Sequence, residues 1–342
     1  MSASVGLDSA DKASFIDETI SGEKQKPEHL GIQFLDYILP RSEVTGHREL
    51  HLIPLTVEKF VGKALYPLYK LQSGGSVPAK YKHYEEAVQR IGKALASESP
   101  RKGLEFEFAV VNDWSHNAWC LPGGKIAMNL GMLNAMENDT RDYGGSLPTF
   151  EEKVAAVLSH EITHATARHF GRTMEFKIFM GACIKGAQFG ISSFVKNHYD
   201  KKIEAIKSSS STIMQVTGLS DTDKKIKEIE KQKTASLKSI QMLFNYLVRN
   251  VASGIGKCKS RTHELEADKY GMILLHQAGK KNLAGFNAES ARSAIWLQSF
   301  FIQHSPPSSP GFFDWLTSLI STHPSSHERL AANKKTWEKL QG

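Results

Sequence analysis

The sequence predicts an α+β fold that is mainly helical, with a small antiparallel sheet and a long helical-hairpin insertion. Apolar residues recur at three- and four-residue steps through most of the 342-residue chain. Strand-like runs crowd into one stretch, residues 104–129. A basic excess sits in one segment. Residues 171–260 carry sixteen Lys/Arg against seven Asp/Glu, so the formal charge of +7 belongs to that segment and the remainder is close to neutral.

In chain order, residues 1–28 are polar and acidic and are expected to be disordered. The chain then turns apolar and β-compatible from residue 29 to residue 55. "TVEKFVGKALYPLYKL" and "YKHYEEAVQRIGKALA" have helical spacing. "LEFEFAVV" alternates and reads as a strand, and "HNAWC" and "KIAMN" flank a Leu121-Pro122-Gly123-Gly124 turn. A short helix begins at Leu130. Thr149 and Glu152 have capping-box spacing ahead of "FEEKVAAVLSHEITHATARHF", whose stripe is Val154, Val157, Leu158 and Ile162. Residues 172–207 and 222–252 read as two long helices around a polar tip. Ile226, Ile229, Leu237, Ile240, Phe244, Leu247 and Val251 form the second helix's stripe, which Lys233 interrupts. "SRTHELEADKYGMILLHQAG" reads as a further helix closed by Gly279 as C-cap, and "AESARSAIWLQSFFIQ" as another.

Composition excludes several classes. Cys120, Cys183 and Cys258 are too scattered for a disulfide framework or a cysteine zinc cluster, and they suit a reducing compartment. The first residues have no basic start followed by an apolar stretch, so no Sec signal is expected. The most apolar window, residues 176–195, carries Lys177, Lys185 and Gln188 and is expected to be a buried or interfacial helix, with no clear transmembrane segment. The compartment expected is cytoplasmic, with export by a non-Sec route left open. The basic segment lacks the aromatic interleaving of a nucleic-acid surface, so no nucleic-acid partner is expected.

The chemistry begins at His160-Glu161-Ile162-Thr163-His164. On a helix the two imidazoles lie one turn apart on one face and can grip a single cation. Glu161 is offset from them, where a carboxylate can take a proton from a metal-activated water. Such a short pattern also arises by accident, so a third ligand is needed. Glu264 and Asp268, one turn apart in "HELEAD", offer a ligand and a hydrogen-bond acceptor for a ligand imidazole. With Glu266 between them they equally suit a solvated acidic face.

HExxH followed by Ser260-Arg261-x-x-Glu264-x-x-Ala267-Asp268-x-x-Gly271 resembles metallopeptidase family 48, the zinc gluzincins that include HtpX, the CAAX prenyl protease and BepA-type peptidases. "NAWCLPGGKIAMNLGML", "AGFNAESA", "STHPSSHERL" and "VTGHRELHLIP" extend the likeness in order over residues 42–335, nearest the soluble BepA-like and mitochondrial overlapping-activity branch. The resemblance implies a zincin-type domain whose small antiparallel sheet lies beside the HExxH helix. It implies one Zn2+ held by His160, His164 and Glu264, with Glu161 as general base. Asp268 would support a ligand, and Arg329 would brace the C-terminal loop. Asn117 would sit on an edge strand that takes an extended peptide, and His323 would stabilise the oxyanion or cap the zinc.

The expected organisation is therefore a disordered 1–28, a peptidase domain in two parts (29–171 and 253–342), and a basic hairpin at 172–252 offering a membrane or protein contact. The expected activity is zinc-dependent endoproteolysis of unfolded or extended polypeptide, with a role in protein quality control. The alternative is an autoinhibited or chaperone-like zinc protein with a closed site. The long insertion departs from the family pattern, and the absent multiple spans argue against prenylated substrates.

Overall fold

The capping box forms as the sequence requires. Thr149 Oγ1 accepts from the Glu152 N–H at 3.2 Å, and the Glu152 carboxylate accepts from the Thr149 N–H at 2.9 Å. These bonds satisfy two of the donors a helix start leaves open. The helix they open, Phe150–Thr166, carries the HExxH residues. In this computed structural model, residues 39–142, 147–213, 220–304 and 327–342 are described. The expected disorder of 1–28 and the role of His323 lie outside them.

The described helices are α1 (Leu55–Gln72), α2 (Lys82–Ser97), α3 (Leu130–Asn138), α4 (Phe150–Thr166), α5 (His169–Ile213), α6 (Ser220–Lys280), α7 (Ser293–His304) and α8 (His327–Gln341). The strands are β1 (Glu107–Val111), β2 (Ala118–Leu121) and β3 (Lys125–Asn129). The chain divides into one compact unit of Met1–Glu175 with Lys259–Gly342, and a second of Phe176–Cys258.

In the first unit the strands lie in the order β1-β3-β2. β2 pairs with β3 antiparallel, but β1 pairs with β3 parallel, so the sheet is mixed rather than antiparallel. The reason is positional: the chain leaves β1, returns as β2, and the turn at Gly123 and Gly124 then inserts β3 between them. Both glycines have left-handed backbone (φ 73° and 79°), which admits this turn without a Cβ clash. Strand alternation divides the side chains between two faces. Phe108, Val110, Ile126 and Met128 join the main core with Val88, Ile91, Val154, Leu158 and Ile162. Ala109, Val111, Trp119, Leu121 and Ala127 pack on Tyr66 and Tyr69 of α1. Val154, Leu158 and Ile162 are fully buried, each contributing about 1.5–3 kcal/mol of apolar transfer free energy. That anchoring fixes α4 against rotation.

Three local expectations are corrected. Residues 39–54 form no named strand, only an isolated Arg41–Arg48 bridge. The Glu175 carboxylate instead accepts the backbone N–H groups of Leu52 (2.9 Å) and Ile53 (2.8 Å), doing what a neighbouring strand would do. The helix expected to stop at residue 252 runs on through the third-ligand motif to Lys280 as one element, because no proline interrupts it. Gly279 lies inside that helix rather than capping it. A Cβ there would meet the Asn287 carbonyl at 2.0 Å, and the left-handed turn after the helix falls at Asn282 (φ 52°).

In the second unit two helical stretches pack along Ile203 and Phe244, both buried. Lys233 is accommodated in its stripe by an ion pair with Asp200.

A candidate metal centre

His160 and His164 leave α4 on one face, and Glu264 arrives from α6. Their donor atoms all lie within 4.8 Å of one another. The two Nε2 atoms are 3.1 Å apart. Glu264 oxygens lie 3.5 Å from His160 Nε2 and 3.4 Å from His164 Nε2. A tetrahedral ion with bonds of about 2.0–2.1 Å has edges of about 3.3 Å, so this triangle has the size of one coordination face. α6 reaches this depth because residue 271 is glycine: a Cβ there would stand 3.0 Å from the His160 backbone nitrogen. All four motif residues are buried, Glu161 at 1% exposure.

Behind His160, its Nδ1 lies 3.0 Å from Asp268 Oδ1. Gln298 donates to the same oxygen at 2.9 Å. Arg329 of α8 donates through Nε and Nη2 to Asp268 (2.6 and 2.7 Å), and its Nη1 lies 2.9 Å from Glu264. Burial works against the Asp268 charge, but Arg329 and then His160 hold its carboxyl below the usual carboxylate range. Arg329 was expected to brace the C-terminal loop, which lies outside the described residues; among those described, its guanidinium ties the third-ligand carboxylate to the acid behind the first histidine.

Behind His164 the arrangement differs. α4 ends at Thr166, and Arg168 adopts left-handed backbone (φ 56°). Its guanidinium is held by Glu58 (3.2 Å) and Glu175 (2.7 Å), which offset that strain. The bend turns His169 back so that its Nδ1 lies 2.8 Å from His164 Nδ1. His169 Nε2 lies 3.1 Å from Glu266, which is also paired with Arg172. Burial, then the His164 ring and Arg172, push His169 well below the usual histidine range, so it is neutral. A neutral ring accepts at one nitrogen and donates at the other. The consistent assignment has His164 Nδ1–H donating to His169, and His169 Nε2–H donating to Glu266. His263 stacks on His169 at 4.3 Å, with the rings 2° from parallel.

These braces place the ring protons of both ligand histidines on Nδ1, so both Nε2 lone pairs converge, 3.1 Å apart, beside a carboxylate. Lone pairs and a carboxylate that converge in this way are a donor set that a cation satisfies. The donor set therefore fits a metal.

Residues 82–336 match the model of peptidase family M48. The chain belongs to that family. M48 peptidases are metal-dependent, and the donor cluster is one that could hold such an ion. Over 85 residues the chain is 36% identical to the mitochondrial metalloendopeptidase OMA1 of Arabidopsis thaliana, covering 25% of this chain and 15% of that protein. The Schizosaccharomyces pombe OMA1 is 26% identical over 160 residues, 45% of this chain and 44% of the relative. The beta-barrel assembly-enhancing protease of Escherichia coli is 27% identical over 88 residues, 26% and 16%. The chain thus spans less than half the length of these curated relatives.

In this M48 chain Asn117 immediately precedes β2, an edge strand of the sheet. Its own main chain is not the free edge, because its carbonyl accepts from the Asn129 N–H at 3.0 Å and its N–H donates to Ser115 at 3.1 Å. By antiparallel alternation the outward backbone groups belong to Ala118 and Cys120. Sequence reasoning missed His169, Glu266 and Arg172. "RH" four residues after the second ligand was the available signal, but helical spacing turns His169 away unless Arg168 breaks the helix.

Proposed function

We propose that the chain is a zinc metalloendopeptidase that hydrolyses peptide bonds in unfolded or extended polypeptide, in the service of protein quality control. The observation that carries this reading is the His160–His164–Glu264 triangle, with the buried Glu161 next in sequence to His160. Two imidazoles and a carboxylate suit zinc, and three protein ligands are the pattern of catalytic sites rather than structural ones. Zinc bound there supplies Lewis acidity to the scissile carbonyl and lowers the pKa of water. Glu161 takes the proton of the attacking water and returns it to the departing amine. Asp268 and His169 hold the ligand rings in the Nδ1–H form. The outward N–H and C=O groups of Ala118 and Cys120 suit an extended substrate that adds as a strand, which favours unfolded chains over folded ones. On sequence alone, His323 is assigned the oxyanion.

Glu161→Gln tests this directly. The variant is expected to keep its zinc and to cleave casein at least ~100-fold more slowly. Wild-type rates would sink the mechanism. If the wild type binds casein with no turnover and His323→Ala starts cleavage, the closed-site alternative replaces it.

We further assign segment 172–252 a contact surface of its own, facing a membrane or protein partner, and place the peptidase unit in a reducing, cytoplasmic setting. Cys120 and Cys183 are free, as that setting allows. Cell fractionation that recovers the chain from an oxidising compartment would contradict the placement.

A further inference from the structure

The chain ahead of α1 lies against the start of α5 and fixes the residues on both sides of His169. Residues 40–49 close on themselves: the Ser42 N–H donates to the His47 carbonyl at 2.8 Å, and the Glu49 N–H to the Pro40 carbonyl at 3.0 Å. Val44, inside this turn, is fully enclosed and joins the main core. That burial anchors the segment at one end. Its other contacts are polar, and they converge on α5.

Arg168, immediately before His169, donates to the Ile53 carbonyl at 3.1 Å. Glu175, further along α5, accepts from Leu52 and Ile53. Arg172, one turn after His169, has its Nη1 3.4 Å from Glu49 Oε1, and Thr45 donates to the same oxygen at 3.2 Å. Thr45 and Glu49 are both buried. Burying a carboxylate is costly unless it is paired and hydrogen-bonded, so apolar packing of this segment would not by itself call for one. Glu49 is paired and hydrogen-bonded, and its partner leads to the metal site. Arg172 also donates through Nη1 and Nη2 to Glu266, the carboxylate that His169 Nε2 faces. His169 in turn meets His164 through Nδ1. One guanidinium therefore joins Glu49 to the row His164–His169–Glu266. The same charges meet at short range away from water, where screening is weak.

We propose that residues 44–53 are a positioning strap for the metal site and that Glu49 is its positioning residue. Glu49 holds Arg172, Arg172 holds Glu266, and Glu266 keeps His169 aimed at His164. The strap thereby makes a segment far upstream of the motif part of the support of its second histidine. The proposal rests on the zinc reading for its effect on affinity, but its effect on ring orientation needs no metal.

The test uses the full chain and two readouts. The first is the ring-nitrogen NMR signals of His164 and His169 in the metal-free chain, assigned with His164→Gln and His169→Phe. Wild type is expected to hold His164 as the single Nδ1–H tautomer, and Glu49→Ala to give signals averaged between two tautomers. The second is zinc affinity by competition with a chelating dye. Glu49→Ala is expected to bind zinc about threefold more weakly, less than the loss expected when His169 itself is replaced. Glu49→Gln is expected to recover part of it, because its side-chain oxygen still accepts from Arg172. In a His169→Phe background Glu49→Ala is expected to cost nothing further, since the route runs through that ring. An equal loss in both backgrounds would make Glu49 a general stabiliser and overturn the proposal. Wild-type ring signals and wild-type affinity in Glu49→Ala would overturn it as well. Should Glu49→Ala not fold, Thr45→Val, which removes only the hydroxyl that orients the carboxylate, is read the same way. A wild type that takes up no zinc, while Glu49→Ala still averages the rings, would sink the zinc reading and support the strap.

Discussion

The two histidines of the motif are held in different ways. His160 is backed directly by a carboxylate, Asp268, which Arg329 ties to the third ligand. His164 is backed by a second imidazole, His169, and reaches a carboxylate only through it. The first brace couples three elements, α4, α6 and α8, so it serves fold and site together. The second depends on one bend at Arg168 and concerns mainly the orientation of a ring. The difference teaches that equivalent donors at a metal need not be equivalently supported. One support is charged and structural, whereas the other is neutral and positional.

Breaking the charged side should cost most. Arg329→Met leaves Glu264 and Asp268 buried without their cation, and a loss of about 3–5 kcal/mol in folding stability is expected by denaturant titration. A change within the error of that titration would mean the brace is dispensable. Asp268→Asn keeps the shape but weakens the acceptor. A 10- to 100-fold drop in zinc affinity is expected, measured by competition with a chelating dye. On the neutral side, His169→Phe should retain the fold and lower zinc affinity by about tenfold, with His169→Asn recovering part of it through a side-chain acceptor. If His169→Phe costs more than Asp268→Asn, the ranking of the two braces is reversed. The smallest effect is expected at His263, which meets His169 by stacking and whose buried Nε2 has no hydrogen-bond partner among the described residues. His263→Phe should leave thermal stability unchanged or slightly raised, because it removes an unsatisfied polar atom.

The same contrast explains what the sequence disclosed. Thr149 with Glu152, His160 with His164, and Glu264 with Asp268 are pairs three or four residues apart, and helical periodicity alone puts each pair on one face. His169 escaped that logic because its position depends on left-handed backbone at Arg168, a strain offset by the guanidinium's contacts with Glu58, Glu175 and the Ile53 carbonyl. The contact of Arg329 with Glu264 was equally hidden, since it joins residues far apart in the chain. The parallel β1–β3 pairing was missed for a related reason: strand order is set by where the Gly123-Gly124 turn lands, not by strand composition. The continuous α6 was hidden because "SGIGKCK" disfavours a helix without forbidding one. The apolar stretch 176–195 of α5 was legible in the sequence, but its lack of burial was not, which corrects the buried helix expected there.

The most direct measurement of the central claim is zinc K-edge X-ray absorption on the purified chain, together with metal content per chain. The account expects one zinc with two imidazole nitrogens and light oxygen donors, and loss of that zinc in Glu264→Ala. Zinc coordinated by sulfur, or full zinc content in Glu264→Ala, would contradict it.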